Sequence, residues 1–333
     1  MKAKLFMTMA AATMILVGCS NDENEPVDNW NGEIRLSSGV TTQTRANTQA
    51  EQILNGETVY AWVDKATSST ATEYIQAWTL TAGGNGSFTG STQYYPTDGS
   101  NLDFYAFHGN FASGSFSEGS TGFPGSAIVH TVASNQSGTN MKDYAKSDLL
   151  YAMKKNVARS KAAVELTFYH MLSKVEVALK SGDGTPDLTG ATVTIEGTKL
   201  KADFAPDKTK DITDGTLGQG YRADMVKTSE NNNDAAAITI PTQTTSDNFG
   251  SGTSYAEAIV VPQTIGQNTA FIKVKLASGT TFSYKIDDTS GLTLESGKKY
   301  LYKITVNMGG LTVTSTIHDW EAVNGKTGNA EMD

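Results

Sequence analysis

Cysteine is almost missing from this chain, because its 333 residues contain only one, at position 19. A chain with a single thiol cannot form an internal disulfide, so its folded part must be stabilised by packing and hydrogen bonding. Proline is also scarce, with seven residues, whereas glycine is plentiful, with 32. Abundant glycine among threonine, serine and aromatic residues favours strands joined by tight turns, and the composition predicts an all-β protein.

Basic residues are outnumbered, since 26 lysines and arginines face 35 aspartates and glutamates and give a formal charge of −9. No segment shows the clustered lysines and arginines of a nucleic-acid-binding surface, so we expect no nucleic-acid partner. Apolar runs of membrane-spanning length are missing from the N-terminus as well. The run from Leu5 to Val17 is too short to cross a bilayer as a helix.

Groups that could carry catalysis or bind a metal are few. The four histidines lie far apart and form no HxH or HExxH pair: His108, His130, His170 and His318. His318 and Asp319 are adjacent, but adjacent residues of a strand point to opposite faces, so they make a poor acid-base pair. The glycine-rich segment 83–90 lacks the βαβ context of a dinucleotide site and predicts a hairpin turn. We therefore predict no enzyme activity, no cofactor and no metal site.

The N-terminus has the pattern of an export signal, with two lysines before the apolar run and small residues before the cysteine. A buried N-terminal helix is the alternative. Leu16-Val17-Gly18-Cys19 resembles the bacterial lipobox, in which a signal peptidase cuts before the cysteine and acyl chains are attached to it. The resemblance implies a signal peptide over residues 1–18 and a lipid anchor at Cys19, because several acyl chains can hold a domain at a bilayer.

Residues 19–45 form the next predicted segment, a lipidated tether followed by a removable strand. The acidic run 20–25 is a solvated tether, or else it resembles the acidic signal that routes some lipoproteins to the cell surface. A short amphipathic stretch follows, whose apolar residues fall on one side of an extended chain. These residues are Ile34, Leu36 and Val40.

Arg45 follows in a threonine-rich loop that is otherwise uncharged. An accessible segment of this kind is one that a trypsin-like protease can cut. Cleavage between Arg45 and Ala46 is therefore one interpretation, and an ordinary loop arginine is the other.

Motifs further along the chain carry a family resemblance. They are TQYYPTDGSNLDFYAFHG (92–109), SDLLYA (147–152), ELTFYHMLSKVEVALK (165–180), EAIVVPQTI (257–265), LESGKKYLYKITV (294–306) and LTVTSTIHDWEAV (311–323). Together with the lipobox and the loop ending in Arg-Ala, their order and spacing resemble the fimbrillin family of type V pilins over most of the chain. The resemblance implies a lipoprotein precursor with two tandem transthyretin-like (Greek-key) β-sandwich domains, matured by an arginine-specific protease and polymerised by strand exchange.

Short runs of β-branched and aromatic residues, separated by glycine, serine or asparagine clusters, support this architecture independently. The predicted strands include 57–64, 74–80, 101–107, 127–132, 191–196, 236–240, 256–261, 271–276, 281–286, 300–306 and 311–317. Two seven-stranded sandwiches fit this pattern. We predict an N-terminal sandwich over residues 46–170 and a C-terminal sandwich over residues 171–333.

The predicted boundary lies where the alternation of apolar residues changes phase. Leu166, Phe168 and Leu172 share one phase, whereas Val175 and Val177 have the opposite one. A bulge or a change of strand explains the slip. A helix is the alternative, because Phe168, Leu172 and Val175 also lie at helical spacing.

The removable strand and the last predicted strand suggest how subunits assemble. If the removable strand plugs a groove of the first domain, cutting after Arg45 frees it and exposes apolar surface beside an unpaired sheet edge. A strand from another subunit can then restore the hydrogen bonds and build an open filament. The tail after Trp320 is too polar to make a good donor. Either the last predicted strand rearranges and donates through Leu311, Val313 and Ile317, or this subunit donates no strand and sits at a tip or as an accessory.

These expectations place the protein at the outer membrane as a surface-exposed lipoprotein and, after maturation, in a fimbrium as a structural or accessory (tip) subunit supporting adhesion. The expected partners are other pilin subunits, an arginine-specific protease, the outer membrane through the lipid anchor, and a host or bacterial surface ligand.

The alternative is a surface-anchored glycan-binding lipoprotein with a platform of exposed rings. Strand alternation argues against such a platform, because it places Tyr60 and Trp62 on one face, as expected of residues that pack in the core of a sandwich. The candidate platform rings are Trp62, Trp78, Tyr94, Tyr95 and Tyr105.

Overall fold

A computed structural model describes the protein at residues 30–40, 53–66, 72–136, 142–231, 234–241, 243–245 and 253–320. The predicted signal peptide, Cys19, the acidic tether and the Arg45–Ala46 bond lie outside the described residues. The described part is all-β, as predicted, and its helices are limited to two short ones, α1 (Lys142–Ser147) and α2 (Gly215–Asp224).

The strands are short, as expected for segments separated by glycine-rich turns. In the first half they are β1 (Leu36–Val40), β2 (Thr58–Ala66), β3 (Thr72–Ala82), β4 (Phe88–Gly90), β5 (Asn101–His108), β6 (Ile128–Thr131), β7 (Leu150–Val157) and β8 (Val164–His170). In the second half they are β9 (Ser173–Ser181), β10 (Thr192–Lys199), β11 (Lys201–Phe204), β12 (Val226–Thr228), β13 (Ala235–Pro241), β14 (Gln243–Thr245), β15 (Thr253–Val260), β16 (Gln263–Ile265), β17 (Ala270–Lys275), β18 (Thr281–Lys285), β19 (Leu292–Leu294), β20 (Lys298–Asn307) and β21 (Gly310–Asp319).

The first half forms a seven-stranded sheet in the order β1-β8-β7-β5-β2-β3-β4. All of its neighbouring strands run antiparallel except β1 and β8, which are parallel. Aromatic residues fill one face, where Trp62 of β2 stacks on Phe107 of β5 with ring centroids 4.7 Å apart. The loop after β5 covers this face, because Phe116 and Phe123 pack edge-on against Trp62. The sequence prediction that Trp62 is a core residue is confirmed.

The second half contains a five-stranded sheet, β14-β15-β9-β20-β21, and a four-stranded sheet, β13-β10-β17-β18. Rings from the two sheets meet, since Tyr302 of β20 lies 5.7 Å from Phe271 of β17 and 5.8 Å from Tyr284 of β18. Two sheets with apolar side chains interdigitated between them form a β-sandwich. A two-stranded sheet, β16-β19, completes this part of the chain.

One small sheet, β12-β11-β6, contains strands from both sides of the predicted division between residues 170 and 171. In it Ile128 of β6 lies opposite Phe204 of β11. One cluster of buried apolar residues also includes members from both halves, such as Phe107 and Tyr302. The tandem arrangement of two sandwiches stays a prediction.

The change of phase found in the sequence marks a change of strand. β8 ends at His170 and β9 begins at Ser173, with Met171 and Leu172 fully buried between them. The predicted strand change is confirmed and the helical alternative is wrong. α2 was not predicted from the sequence, because its residues have little apolar periodicity. Tertiary packing explains this helix, because Arg222 is buried and its guanidinium lies 4.5 Å from the Tyr169 ring.

Candidate functional site

β1 joins the seven-stranded sheet through β8. The pairing is parallel and runs from Leu36 opposite Val164 to Val40 opposite Phe168. The Val164 N–H also donates to the Arg35 carbonyl at 2.7 Å. The strand predicted from the alternation of residues 34–40 is therefore present, and its sheet partner lies more than 120 residues away in the chain.

The opposite edge of β1 is hydrogen-bonded as well. The Ser38 N–H donates to the Gly86 carbonyl at 2.7 Å, and the Ile34 N–H donates to the Gln93 carbonyl at 2.8 Å. Both acceptors flank β4, the strand at the far end of the sheet order. β1 therefore joins the two ends of the sheet by filling the space between β8 and residues 86–95. We call this space the β1 slot.

The side chains of β1 and the residues before it divide between the inside and the outside of the slot. Ile34 and Leu36 are buried, with 6% and 8% of their surface exposed. Arg35 points outward and forms an exposed ion pair with Glu33 at 3.8 Å. The side chain of Val40 lies outside the described residues. The two described apolar residues of the predicted removable strand thus share the buried face.

Two glycines shape the slot. Gly32, just before Ile34, has φ +88°, and a Cβ there would lie 2.6 Å from the Arg159 guanidinium. Gly86 has φ +79°, and a Cβ there would lie 2.8 Å from the Ser38 carbonyl oxygen. A side chain is disfavoured at both positions by the left-handed backbone and by the close approach of neighbouring atoms.

The possible donor residues lie in another sheet. β21 pairs antiparallel with β20 from Gly310 opposite Asn307 to Asp319 opposite Lys298. It is the last strand of the five-stranded sheet, and 59% of Ile317 is exposed. Edge strands of this kind are templates for pairing with another chain.

Contacts of Asp319 and Trp320 hold the C-terminal end of β21. Asp319 forms an ion pair with Lys298 of β20. Trp320 is buried and stacks on His170, with ring centroids 3.9 Å apart and an interplanar angle of 9°. His170 in turn contacts the Asp148 carboxylate at 2.9 Å. Since His170 is the last residue of β8, the strand that pairs with β1 also holds the end of β21.

A buried ion cluster that was not predicted from the sequence lies beside this stack. The Lys174 ammonium lies 2.9 Å from Glu257 and 3.1 Å from Glu176. Burial works against the charge of Lys174, but the two carboxylates outweigh it and raise the pKa of the lysine above its ordinary value. Lys174 and Glu176 alternate along β9, which was a visible signal, whereas Glu257 comes from the distant strand β15.

The buried histidines have structural hydrogen bonds. His130 Nε2–H donates to the Ser147 carbonyl at 2.9 Å, and its Nδ1 accepts from the Asn110 N–H at 3.1 Å. Burial lowers the pKa of His130 to about 4, so its ring is neutral at pH 7. His318 is exposed on β21. Within the described ranges, no group of three or more histidine, cysteine or acidic residues is arranged to hold a metal ion.

The rings proposed as a sugar-binding platform do not form one. Trp62, Trp78, Tyr95 and Tyr105 are each at most 3% exposed, and only Tyr94 presents a large surface, at 45%. Buried rings cannot stack on a sugar, so the glycan-binding alternative loses the feature that motivated it.

None of the helices in the described part of the chain combines the length and the apolar character needed to span a membrane.

The fold and the β1 slot define an all-β protein of sandwich type in which a strand near the N-terminus completes a sheet built from later residues. Residues 44–320 match the family model described as fimbrillin-like, and the chain belongs to this family. The resemblance found in the sequence is confirmed. The matched range begins after β1 and ends at Trp320.

Individual relatives agree with this assignment. The curated "Putative fimbrium subunit Fim1C" of Bacteroides uniformis is 28% identical over 352 residues, which cover 99% of this chain and 100% of that protein. A solved structure of a "putative cell adhesion protein" from Bacteroides ovatus has a TM-score of 0.59 at 19% identity and covers 88% of this chain and 99% of its own. A second one, from Bacteroides uniformis, has a TM-score of 0.53 at 21% identity and covers 89% of this chain and 100% of its own. The two structures show the same fold.

Proposed function

We propose that the protein is a subunit of a surface fimbria that is assembled by donor-strand exchange and supports adhesion. The observation that carries the proposal is β1, which completes a sheet by filling a slot and ends five residues before Arg45. The family and the relative named as a fimbrium subunit support the fimbrial role. The partners are other pilin subunits and, for adhesion, a host or bacterial surface ligand.

Export and anchoring form the first stage of this proposal. Removal of residues 1–18 leaves Cys19 as the first residue, and its acylation anchors the precursor at the outer membrane with the folded part at the cell surface. The acidic residues 20–25 then separate the anchor from β1. Several acyl chains give stable membrane attachment, whereas a single chain does not.

Cleavage after Arg45 by an arginine-specific protease is the second stage. Before the cut, β1 is tethered to the sheet by the chain itself, so its local concentration beside the slot is high. After the cut, the strand is held by its backbone hydrogen bonds and by buried residues such as Ile34 and Leu36. Burial contributes about 1.5–3 kcal/mol for each of these side chains. A strand held this way can be replaced by a competitor.

Departure of β1 creates the site for the next subunit. It leaves the edge of β8 and the edge of residues 86–95 unpaired and exposes the apolar floor that Ile34 and Leu36 covered. An incoming strand restores both sets of hydrogen bonds and refills the floor.

The test compares protein recovered from the cell surface in wild type and in Arg45→Ala. We expect wild-type protein to begin at Ala46 and to form SDS-resistant ladders. The variant should keep acylated Cys19 and remain monomeric. Arg35→Ala is the matched control. The Arg35 carbonyl oxygen accepts a hydrogen bond from the Val164 N–H at 2.7 Å. Because this peptide is held in the sheet, Arg35 should not be a cleavage site. Intact mass and N-terminal sequencing identify each start. Unchanged ladders in Arg45→Ala would refute the proposal.

A further inference from the structure

Three acidic residues lie side by side on neighbouring strands of the seven-stranded sheet. Asp64 of β2 is directly opposite Glu73 of β3 on one side and Asp103 of β5 on the other. Residues that face each other across antiparallel strands share one face of a sheet. Asp64 is the buried member of the set, with 2% of its side chain exposed. A carboxylate at this depth requires a partner that neutralises it.

Lys208 supplies that partner from the loop between β11 and α2. Its ammonium nitrogen lies 2.8 Å from each of the two Asp64 carboxylate oxygens and 3.5 Å from Glu73. Equal distances to both oxygens bring the nitrogen to within about 3.5 Å of the carbon between them, a separation from which oriented groups can react. The contact joins residues 144 positions apart in the chain.

The lysine is held in position by its own loop and by aromatic rings. The Asp207 carboxylate accepts hydrogen bonds from the N–H and the hydroxyl of Thr209, which fixes the turn around Lys208. The ammonium lies 4.6 Å from the centre of the Phe123 ring and 5.1 Å from that of Tyr105. Rings that limit the access of water strengthen electrostatic interactions and protect a reaction product from hydrolysis.

The two carboxyls beside Lys208 differ in acidity. Burial raises the pKa of Asp64 above its ordinary value, although the hydrogen bond and charge of Lys208 oppose this. Burial works in the same direction on Glu73, but hydrogen bonds from the Phe123 N–H and the Gln76 amide outweigh it and lower the pKa of that carboxyl. Carboxyls whose pKa values are pushed apart are suited to act as an acid and a base.

We propose that Lys208 and Asp64 condense into an amide bond, with Glu73 as the group that carries a proton. The ammonium passes one proton to the Asp64 carboxylate, and the Nζ lone pair then attacks Cγ to form the N–C bond. Glu73 takes a second proton from the nitrogen and delivers it to the hydroxyl on Cγ, whose C–O bond breaks as water leaves. One ammonium and one carboxylate thus become one amide and one water, and Glu73 ends as it began.

The amide goes beyond the proposed fimbrial function and does not depend on it. Condensation succeeds in water because the folded chain holds the two groups together, and effective concentrations of well-oriented groups reach about 10⁵–10⁸ M. The bond ties β2 to the segment before α2. In a chain with a single cysteine, it is a covalent cross-link that needs no second thiol.

The test measures the intact mass of the full Cys19→Ser chain and maps its tryptic peptides. The chain should be lighter than its sequence mass by one water molecule. Trypsin does not cut after an acylated lysine, so the digest should contain one branched peptide built from residues 46–65 and 202–210. Lys208→Arg keeps a cation beside Asp64 but has no amine to acylate, and it should have its full sequence mass. Glu73→Gln keeps the size of the side chain and should form the bond at least about 100-fold more slowly.

Two other ion pairs of the same chain are internal controls. Lys65 lies 2.7 Å from Asp98, whose side chain is 52% exposed to water. Lys174 lies 2.9 Å from Glu257, and the raised pKa of this lysine keeps its amine protonated. Neither pair should give a branched peptide.

The chain without further substitutions decides the outcome by itself. Its full sequence mass together with an unlinked peptide 202–208 would overturn the proposal and leave Lys208 and Asp64 as an ion pair only. Loss of water at any other residue would overturn it as well. Linkage in Glu73→Gln at the unsubstituted rate would overturn the role of Glu73 as the proton carrier.

Discussion

Replacing Leu36 with alanine should weaken the uncut precursor far more than replacing its neighbour Arg35. Leu36 is 8% exposed in the β1 slot, and truncation of a buried leucine loses transfer energy and leaves a cavity. The usual cost is about 2–5 kcal/mol, and we expect about 2–3 kcal/mol because a five-residue strand can shift to close part of the cavity. Arg35→Ala removes an ion pair at 3.8 Å whose side chains are 52% and 41% exposed. Such a pair contributes about 0–1 kcal/mol.

Urea unfolding of the Cys19→Ser precursor measures both free energies under identical conditions. A loss of about 2–3 kcal/mol corresponds to a melting temperature lower by about 3–5 °C in a chain of this size. The same Leu36→Ala precursor should form ladders faster after cleavage, because a weaker β1 leaves the slot sooner. Equal effects of Leu36→Ala and Arg35→Ala on unfolding would refute the reasoning that Leu36 anchors β1.

Three further perturbations have defined outcomes. Trp320→Ala should speed ladder formation about tenfold, because the aromatic stack that holds the end of β21 is lost; the half-time of ladder formation on gels measures this. His130→Gln should reduce the loss of stability between pH 7 and pH 5 by about 2 kcal/mol. The pKa of His130 is lowered by burial to about 4 from 6.5, so in this window the unfolded chain takes up a proton that the folded chain refuses, and stability falls as the pH falls. Lys174→Met should cost about 3–5 kcal/mol in urea unfolding, because Glu257 loses its buried cation and Glu176 keeps only Lys299, at 3.6 Å.

Each of these perturbations has a matched control. Trp320→Phe keeps a ring over His170 and should form ladders at nearly the wild-type rate. His318→Gln changes an exposed histidine and should leave the pH dependence of stability unaltered. Lys180→Met lies at the exposed end of β9 and should change stability by less than about 0.5 kcal/mol. If a control matches its partner variant, the specific contact is not the cause.

Sequence patterns predicted individual strands well, because alternation is a local property of the backbone. The run 101–107 lies within β5 and the run 271–276 overlaps β17 almost completely. The glycine-rich segment 83–90 is the predicted hairpin between β3 and β4. Patterns failed where local propensity is weak. The residues of α2 contain three glycines, and this helix depends on the packing of Arg222 against Tyr169.

Only the buried residues of the β1 slot, and not the segments that line it, could be predicted from the sequence. Ile34 and Leu36 were identified from their alternation, and their common burial is confirmed. The walls of the slot were not identified, because β8 and residues 86–95 are distant from β1 in sequence and local alternation does not show which segments pair. The Lys174 cluster was missed for a similar reason, since Glu257 belongs to another strand.

The sequence by itself determined the fold class and the strand periods. Each of these follows from residue spacing, since successive side chains of an extended chain point to opposite faces. Only the tertiary structure decided that β1 pairs with β8 and that His170, at the end of β8, holds Trp320. Strand pairing depends on which distant segments together bury the most apolar surface and satisfy the most backbone hydrogen bonds. That balance belongs to the whole chain and cannot be evaluated one segment at a time.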